Sequence, residues 1–178
     1  MKSKGRTRYL TPAEETRLLE ALPVGVKRDA AMFLIDTGAR VNEALKLTWQ
    51  DLAVHPGLDA VTFWRTKSKR ARTVPLTARA KDCLMRAKAE GRPRPFPVLY
   101  SAFWDSFTAA KKRAGLDDGG ETIVVHTLRH TCASRLVQRG ASLFIVQTVL
   151  GHSSPAMTAR YSHLNVDALR PAMALLEA

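Results

Sequence analysis

AVTFWRTKSKRARTVPL, residues 60–76, is the stretch that decides the fold. Two short runs rich in β-branched and aromatic residues, 60–65 and 72–76, flank the cationic segment Thr66-Lys67-Ser68-Lys69-Arg70. Such runs suit a pleated, half-buried surface, and a polar segment between them suits a turn, so the stretch predicts a β-hairpin with a basic tip. The rest of the chain follows helical spacing. The fold class is therefore mostly α with a small antiparallel β-sheet (α+β).

Outward from the hairpin, helix signals recur on both sides. Thr11-Pro12-Ala13-Glu14 combines a capping threonine, a proline at the first helical position and a glutamate that closes a capping box ahead of Leu18, Leu19 and Leu22. A second helix runs from about Val26 to Gly38, and a third follows Arg40, with Val41, Ala44, Leu45 and Leu47 at inward spacing. Arg40 thus falls at a helix–helix junction. After the hairpin, Thr77 caps a helix reaching toward Gly91, RPRPFP forms a surface linker, and Ser101 caps a helix that ends at Gly115. A loop through LDDGGE leads to helices at 127–139 and 142–150, divided by Gly140. SSPAMTARY is a short capped turn carrying Tyr161, and a last amphipathic helix covers roughly 166–176, bent by Pro171.

The 178 residues, 46% of them hydrophobic, suffice for one domain with its own core. Lys and Arg number 28 against 16 Asp and Glu, a formal charge of +12, which favours a polyanionic partner through counterion release and steering. The chain shows no contiguous basic amphipathic helix and no long apolar run, so a membrane partner is not expected. The two cysteines, Cys83 and Cys132, share no CxxC spacing and fall in helical patterns, which predicts buried free thiols and a reducing, cytoplasmic setting.

HTLRH, residues 126–130, puts two histidines one helical turn apart with an arginine between them. A zinc hydrolase would place a glutamate base after the first histidine, where this chain has Thr127, and Arg129 has no lone pair to offer a metal. The expectation is a metal-free anion site with no cofactor. Taken singly, each polar residue also has an ordinary explanation. His126 and His130 suit partly buried helix positions, Arg40 can pair with Glu43, Lys67 suits a solvated tip, and Tyr161 suits core or surface.

In order and local setting, Arg40 in TGARVNEALKLTW, Lys67 in TKSKRARTVPL, His126 and Arg129 in HTLRHTCASRL, and His152 and Tyr161 in LGHSSPAMTARYSHL resemble the signature of the tyrosine recombinases, or phage integrases. With RYLTPAEE near the start, the resemblance covers nearly the whole chain and implies the catalytic-domain fold of DNA breaking-rejoining enzymes. It implies that Tyr161 attacks a phosphodiester to give a 3′-phosphotyrosyl link and a free 5′-hydroxyl, which conserves bond energy for religation. Arg40 and Arg129 stabilise the nonbridging oxygens, His152 donates a hydrogen bond to one of them, His126 accepts the tyrosine proton, and Lys67 protonates the departing 5′-oxygen. Glu43 orients Arg40, His130 has a supporting role, and Lys69, Arg70 and Arg72 contact DNA phosphates.

The resemblance further implies double-stranded DNA as partner, a DNA-dependent tetrameric synapse with exchange of the C-terminal tail (162–178), and a bacterial or phage-encoded, nucleoid-associated protein. Residues 1–8 form a basic lead-in, the catalytic domain fills 1–178, and the upstream core-binding domain usual in the family is expected to be absent. Two alternatives share the chemistry or the fold: a type IB topoisomerase and a DNA-binding module that does no chemistry. The charge alone generates one prediction. Affinity for duplex DNA should fall ~10³-fold or more between about 50 and 200 mM salt if about six phosphates are contacted, and a salt-independent dissociation constant in a fluorescence titration would refute it.

Overall fold

The computed structural model describes residues 8–53, 56–64, 71–117 and 122–164. The hairpin tip with Lys67, Lys69 and Arg70, the start of the lead-in, part of the LDDGGE loop and the tail helix from residue 165 lie outside the described residues. Among those described, the helices are α1 (Pro12–Ala21), α2 (Val26–Thr37), α3 (Val41–Leu45), α4 (Gln50–Ala53), α5 (Ala78–Ala89), α6 (Tyr100–Arg113), α7 (Val125–Gln138), α8 (Leu143–Leu150) and α9 (Pro155–Thr158). Strands β1 (Ala60–Phe63) and β2 (Arg72–Pro75) pair antiparallel, with Val61 opposite Val74 and Phe63 opposite Arg72. A 3-10 segment, Ala159–Leu164, carries Tyr161. No described helix is long and apolar enough to cross a membrane.

The caps explain several of these boundaries. Thr11 Oγ1 accepts from the Glu14 amide at 3.2 Å while a Glu14 carboxylate oxygen accepts from the Thr11 amide at 2.8 Å, the reciprocal box anticipated from TPAE. Thr77 and Ser142 cap α5 and α8 as expected. Other boundaries moved. α6 begins at Tyr100, ahead of Ser101, and α7 begins at Val125, two residues before Thr127, whose hydroxyl instead accepts from the Val124 amide at 3.0 Å. α3 stops at Leu45, before Leu47, and α4 follows. β1 ends at Phe63, short of residue 65.

α2 is the central helix: it packs against α5 and α7, and also touches α1 and α3. Its Ala30, Ala31, Phe33, Leu34 and Ile35 are all buried, and Phe33 packs on Phe96 with ring centroids 5.0 Å apart. The linker RPRPFP is thus fastened to the core by Phe96, and by Arg92, which donates to the buried Asp29 at 3.0 Å. A smaller apolar group, Ala133, Val137, Val146, Leu150 and Tyr161, lies between α7, α8 and the 3-10 segment. Both cysteines are buried and free, and burial pushes each thiol up to about 12.

α1, α2, α5 and α7 are tied by charge around the buried Glu15. Arg79 of α5 donates to Asp36 of α2 and, at 2.5 Å, to Glu15 of α1, while Arg135 of α7 pairs with the same Glu15. Burial weakens the charge of Arg79, yet its bonds to the two carboxylates more than offset this and hold its pKa above the ordinary value.

The join between α2 and the helices beyond it depends on Gly38. Its φ is 62°, and a Cβ added there would lie 2.7 Å from Leu150 Cδ2 and 3.1 Å from Cys132 Sγ. Left-handed strain and overpacking in a buried layer add, so Gly38→Ala should destabilise the fold by about 2–4 kcal/mol in urea denaturation. A loss below about 0.5 kcal/mol, the size of a neutral surface change, would contradict the packing described here.

Candidate functional site

Three helix ends and the 3-10 segment meet on one side of the molecule. α2 ends at Gly38, two residues before Arg40; α7 begins with His126, Arg129 and His130 in its first two turns; α8 ends at Leu150, two residues before His152; and Tyr161 follows on the 3-10 segment packed against α7, α8 and α9. Lys67 lies outside the described residues. The other five residues singled out as catalytic are described and can be placed individually.

Arg129 is 3% exposed. Its Nη1 donates to the Gly38 carbonyl at 2.6 Å and its Nη2 to the Leu150 carbonyl at 2.7 Å. One guanidinium therefore satisfies backbone acceptors at the C-terminal ends of two helices, where the partial charge is negative. Among the described residues no carboxylate pairs with it. Burial, and then the like charges of Arg40 and Arg72, bring its pKa down to about 10, so it remains a cation at neutral pH.

Arg40 precedes α3 and donates from Nη1 to Glu43 Oε1 at 2.9 Å, while its backbone amide donates to Glu43 Oε2 at 2.9 Å. The pairing with Glu43 anticipated from the sequence is therefore present. Arg72 does not stand where the sequence suggested. Instead of an exposed phosphate contact it is 8% exposed, ion-paired to Glu43 at 2.6 Å and positioned over the Phe63 ring. Strand alternation accounts for this: β2 is buried at Arg72 and Val74 and exposed at Thr73 and Pro75, so the side chain points inward. Burial alone would raise the pKa of Glu43, but the bonds from Arg72 and Arg40 overcome it and hold the carboxyl below its ordinary value.

The histidines are arranged differently from their expected roles. His130, expected to have a supporting role, has Nδ1 2.6 Å from the Tyr161 hydroxyl. His126, expected to take the tyrosine proton, lies edge-on to His130 with ring centroids 4.7 Å apart. His152 Nδ1 is 2.8 Å from Thr158 Oγ1, which leaves Nε2 as its outward nitrogen. Desolvation, His126 and nearby arginines push His130 down to about 4; desolvation, Arg129 and Arg40 do the same to His152. His126 is lowered as well, first by desolvation and then by Arg129, Arg40 and Arg160. Tyr161 is 1% exposed, and burial raises its hydroxyl to about 12. A neutral His130 that carries its proton on Nε2 accepts this bond at Nδ1 from the tyrosine hydroxyl.

Sequence reasoning missed the carbonyls of Gly38 and Leu150, the Thr158 hydroxyl, and Arg160, whose charge acts on all three histidines and the tyrosine. A signal for the first two was available. Glycine stands just after α2 and α8 in both TGAR and LGH, and both glycines, Gly38 and Gly151, cap their helices in the left-handed conformation. The site as a whole combines two guanidiniums on one carboxylate, a third with no carboxylate among the described residues, and imidazoles held neutral. That is an arrangement for a single anion.

The model of the Phage integrase family matches residues 8–167. A putative integrase of Pseudomonas phage Pf1 is 34% identical over 170 residues, covering 94% of this chain and 48% of its own length. Tyrosine recombinase XerD of Corynebacterium glutamicum is 33% identical over 166 residues, covering 84% of this chain and 52% of its own. The chain thus spans about half the length of the curated relatives it matches. Among solved structures, the catalytic domain of bacteriophage HP1 integrase is 33% identical, with a TM-score of 0.73, covering 93% of this chain and 92% of that one.

The depressed histidines generate a pH prediction. A group whose folded pKa lies below its unfolded value leaves the unfolded state holding more protons, so stability falls as pH falls. For His130 and His152 the loss should begin near the ordinary value of 6.5 and level off around 4. Denaturation across that range should show it, and a His130→Gln, His152→Gln double variant should flatten the slope. An unchanged slope would show that these imidazoles are not held neutral.

Proposed function

Because the chain belongs to the phage integrase family, we propose that it carries the catalytic centre of a site-specific DNA recombinase, cutting and resealing strands through a 3′-phosphotyrosyl intermediate on Tyr161. The observation that carries this reading is the bond from the Tyr161 hydroxyl to His130 Nδ1 at 2.6 Å, beside a cluster of arginines. A module that only bound DNA would need neither a tyrosine paired with an imidazole nor a buried guanidinium that meets no carboxylate among the described residues.

In this mechanism the scissile phosphate sits against Arg40 and Arg129. Their remaining N–H groups hold its nonbridging oxygens as negative charge builds on the five-coordinate phosphorus. Thr158 donates to His152 Nδ1, so His152 Nε2 carries the proton and donates to a phosphate oxygen. Tyr161 passes its proton to His130 as its oxygen attacks; His126, edge-on behind that ring, supports the imidazole. A hydroxyl with a pKa near 12 needs such an acceptor, since little phenolate exists at neutral pH. The bond from phosphorus to the 5′-oxygen breaks, and Lys67 supplies the proton that lets this oxygen leave as a hydroxyl. Religation reverses each transfer.

Tyr161 is buried in the smaller core group, so DNA binding has to be coupled to a movement of the 3-10 segment that brings the hydroxyl to phosphorus. The partner in this reading is duplex DNA, with Lys69 and Arg70 at the hairpin tip as further phosphate contacts. Complete recombination proceeds in a DNA-dependent tetramer. Its tail, with Leu169, Met173 and Leu176 at helical spacing, docks on a neighbouring copy, and the exposed Phe144 and Ile145 of α8 offer apolar surface for such docking.

Two variants separate the nucleophile from the acid. On a nicked duplex that traps the covalent product, Tyr161→Phe should keep its fold and DNA affinity and form no adduct. Lys67→Ala should slow adduct formation by ~10²–10⁴-fold, and a substrate with sulfur in place of the bridging 5′-oxygen should restore much of the rate, because a thiolate leaves without a proton. Adduct formation by Tyr161→Phe would end the tyrosine reading; equal slowness of Lys67→Ala on both substrates would remove Lys67 as the acid.

A further inference from the structure

Arg72 is the best-anchored cation of the site and has no part in the mechanism above. Nη1 and Nη2 donate to Glu43 Oε1 and Oε2 at 3.2 and 2.6 Å, and Nε donates to the Val149 carbonyl at 3.0 Å. Its guanidinium carbon stands 4.5 Å from the centroid of Phe63, across the hairpin. Gly151 completes the enclosure, since a Cβ there would lie 2.7 Å from Arg72 Cδ. One side chain thus ties together three segments that lead to reacting groups: α3 to Arg40, the last turn of α8 to His152, and the hairpin, five residues upstream in sequence, to Lys67.

The sharing of Glu43 gives this anchor a chemical consequence. Oε1 accepts from both Arg40 Nη1 and Arg72 Nη1, and Oε2 accepts from both the Arg40 amide and Arg72 Nη2. With Arg72 present, two cations stand on one carboxylate and a positive charge is left over. Without it, Glu43 neutralises Arg40 and is free to draw both guanidinium nitrogens of Arg40 toward itself, away from an incoming anion. Lysine cannot substitute, because one ammonium cannot span two carboxylate oxygens and reach the Val149 carbonyl as a planar fork does.

We propose that Arg72 is a positioning residue for strand cleavage: by holding Glu43 it sets the aim and effective charge of the Arg40 guanidinium, and by holding the Val149 carbonyl it fixes the turn that presents His152. The proposal rests on the recombinase reading. Its prediction is that Arg72 matters through the charge on the nonbridging oxygens, without touching them.

The test compares the wild-type chain with Arg72→Met, Arg72→Lys, Arg40→Ala, the Arg72→Met, Arg40→Ala double variant and Tyr161→Phe on nicked duplexes. The cleaved linkage is a normal phosphate or a methylphosphonate, in which a neutral methyl replaces one nonbridging oxygen. Arg72→Met should slow adduct formation by ~10²-fold on the phosphate, in the range found for losing one transition-state donor. The double variant should be no slower than Arg40→Ala, since the two residues act on one interaction. On the methylphosphonate the gap between wild type and Arg72→Met should narrow, as for Arg40→Ala, while Tyr161→Phe stays inert. A residue that only held the fold would reduce the rate on both substrates by the same factor, and that outcome overturns the proposal, as does a wild-type rate for folded Arg72→Met. If Arg72→Met does not fold, Arg72→Lys decides: a larger defect on the phosphate supports the proposal and wild-type rates on both substrates overturn it. A wild-type chain that forms no adduct sinks the recombinase reading itself, which is a separate result.

Discussion

A guanidinium taken out of water must have its charge and its donors met by something else, and Arg129 meets this condition with the carbonyls of Gly38 and Leu150. These belong to the ends of different helices, α2 and α8, so the burial of one side chain of α7 fixes where two other helices may stop and how they approach it. Arg40 and His152 each follow two residues beyond those carbonyls. Their placement is therefore a consequence of how Arg129 is satisfied. The glycines at both ends belong to the same constraint: they let the chain turn sharply at the point of contact, and Gly38 and Gly151 leave no room for a side chain.

The cost of this arrangement appears in the titration of its members. Arg129 is brought down to about 10, and His130 and His152 to about 4, mainly through desolvation and then through neighbouring positive charges. Such a site is electrostatically unsatisfied alone. A phosphate group entering it would supply the missing negative charge and relieve the repulsion among the arginines, which is the physical basis of the phosphodiester site proposed above. Glu43 offsets only part of the charge, and its double engagement by Arg40 and Arg72 keeps the cluster together while the anion is absent.

Much of this was legible in the sequence. The period-2 runs around residues 60–76 correspond to the one sheet among the described residues, because a β-branched pattern leaves few alternatives once one face must be buried. The caps at Thr11, Thr77 and Ser142 were visible because capping is local, needing only a side-chain oxygen within three residues of an amide. Arg40, His126, Arg129, His152 and Tyr161 stand out through the resemblance of their order and setting to the family signature. Arg72 was misplaced for a definite reason: from its sequence neighbours it belongs to a run of solvated cations, while its surroundings are set by the strand's inward face and by Glu43, 29 residues away.

The amino-acid sequence by itself determined the fold class, the boundaries that depend on caps and glycines and the cationic character, since each follows from local spacing or from composition; the candidate site residues came from the resemblance of their order and setting to a family signature. Only the tertiary structure decided which of them touch. That His130 rather than His126 meets the Tyr161 hydroxyl, that Arg129 is satisfied by backbone, and that Arg72 is internal all depend on how helices far apart in the chain cross. Those crossings are fixed by close packing of side chains and by the demand that buried polar groups be paired, and neither condition can be evaluated until the whole chain has folded.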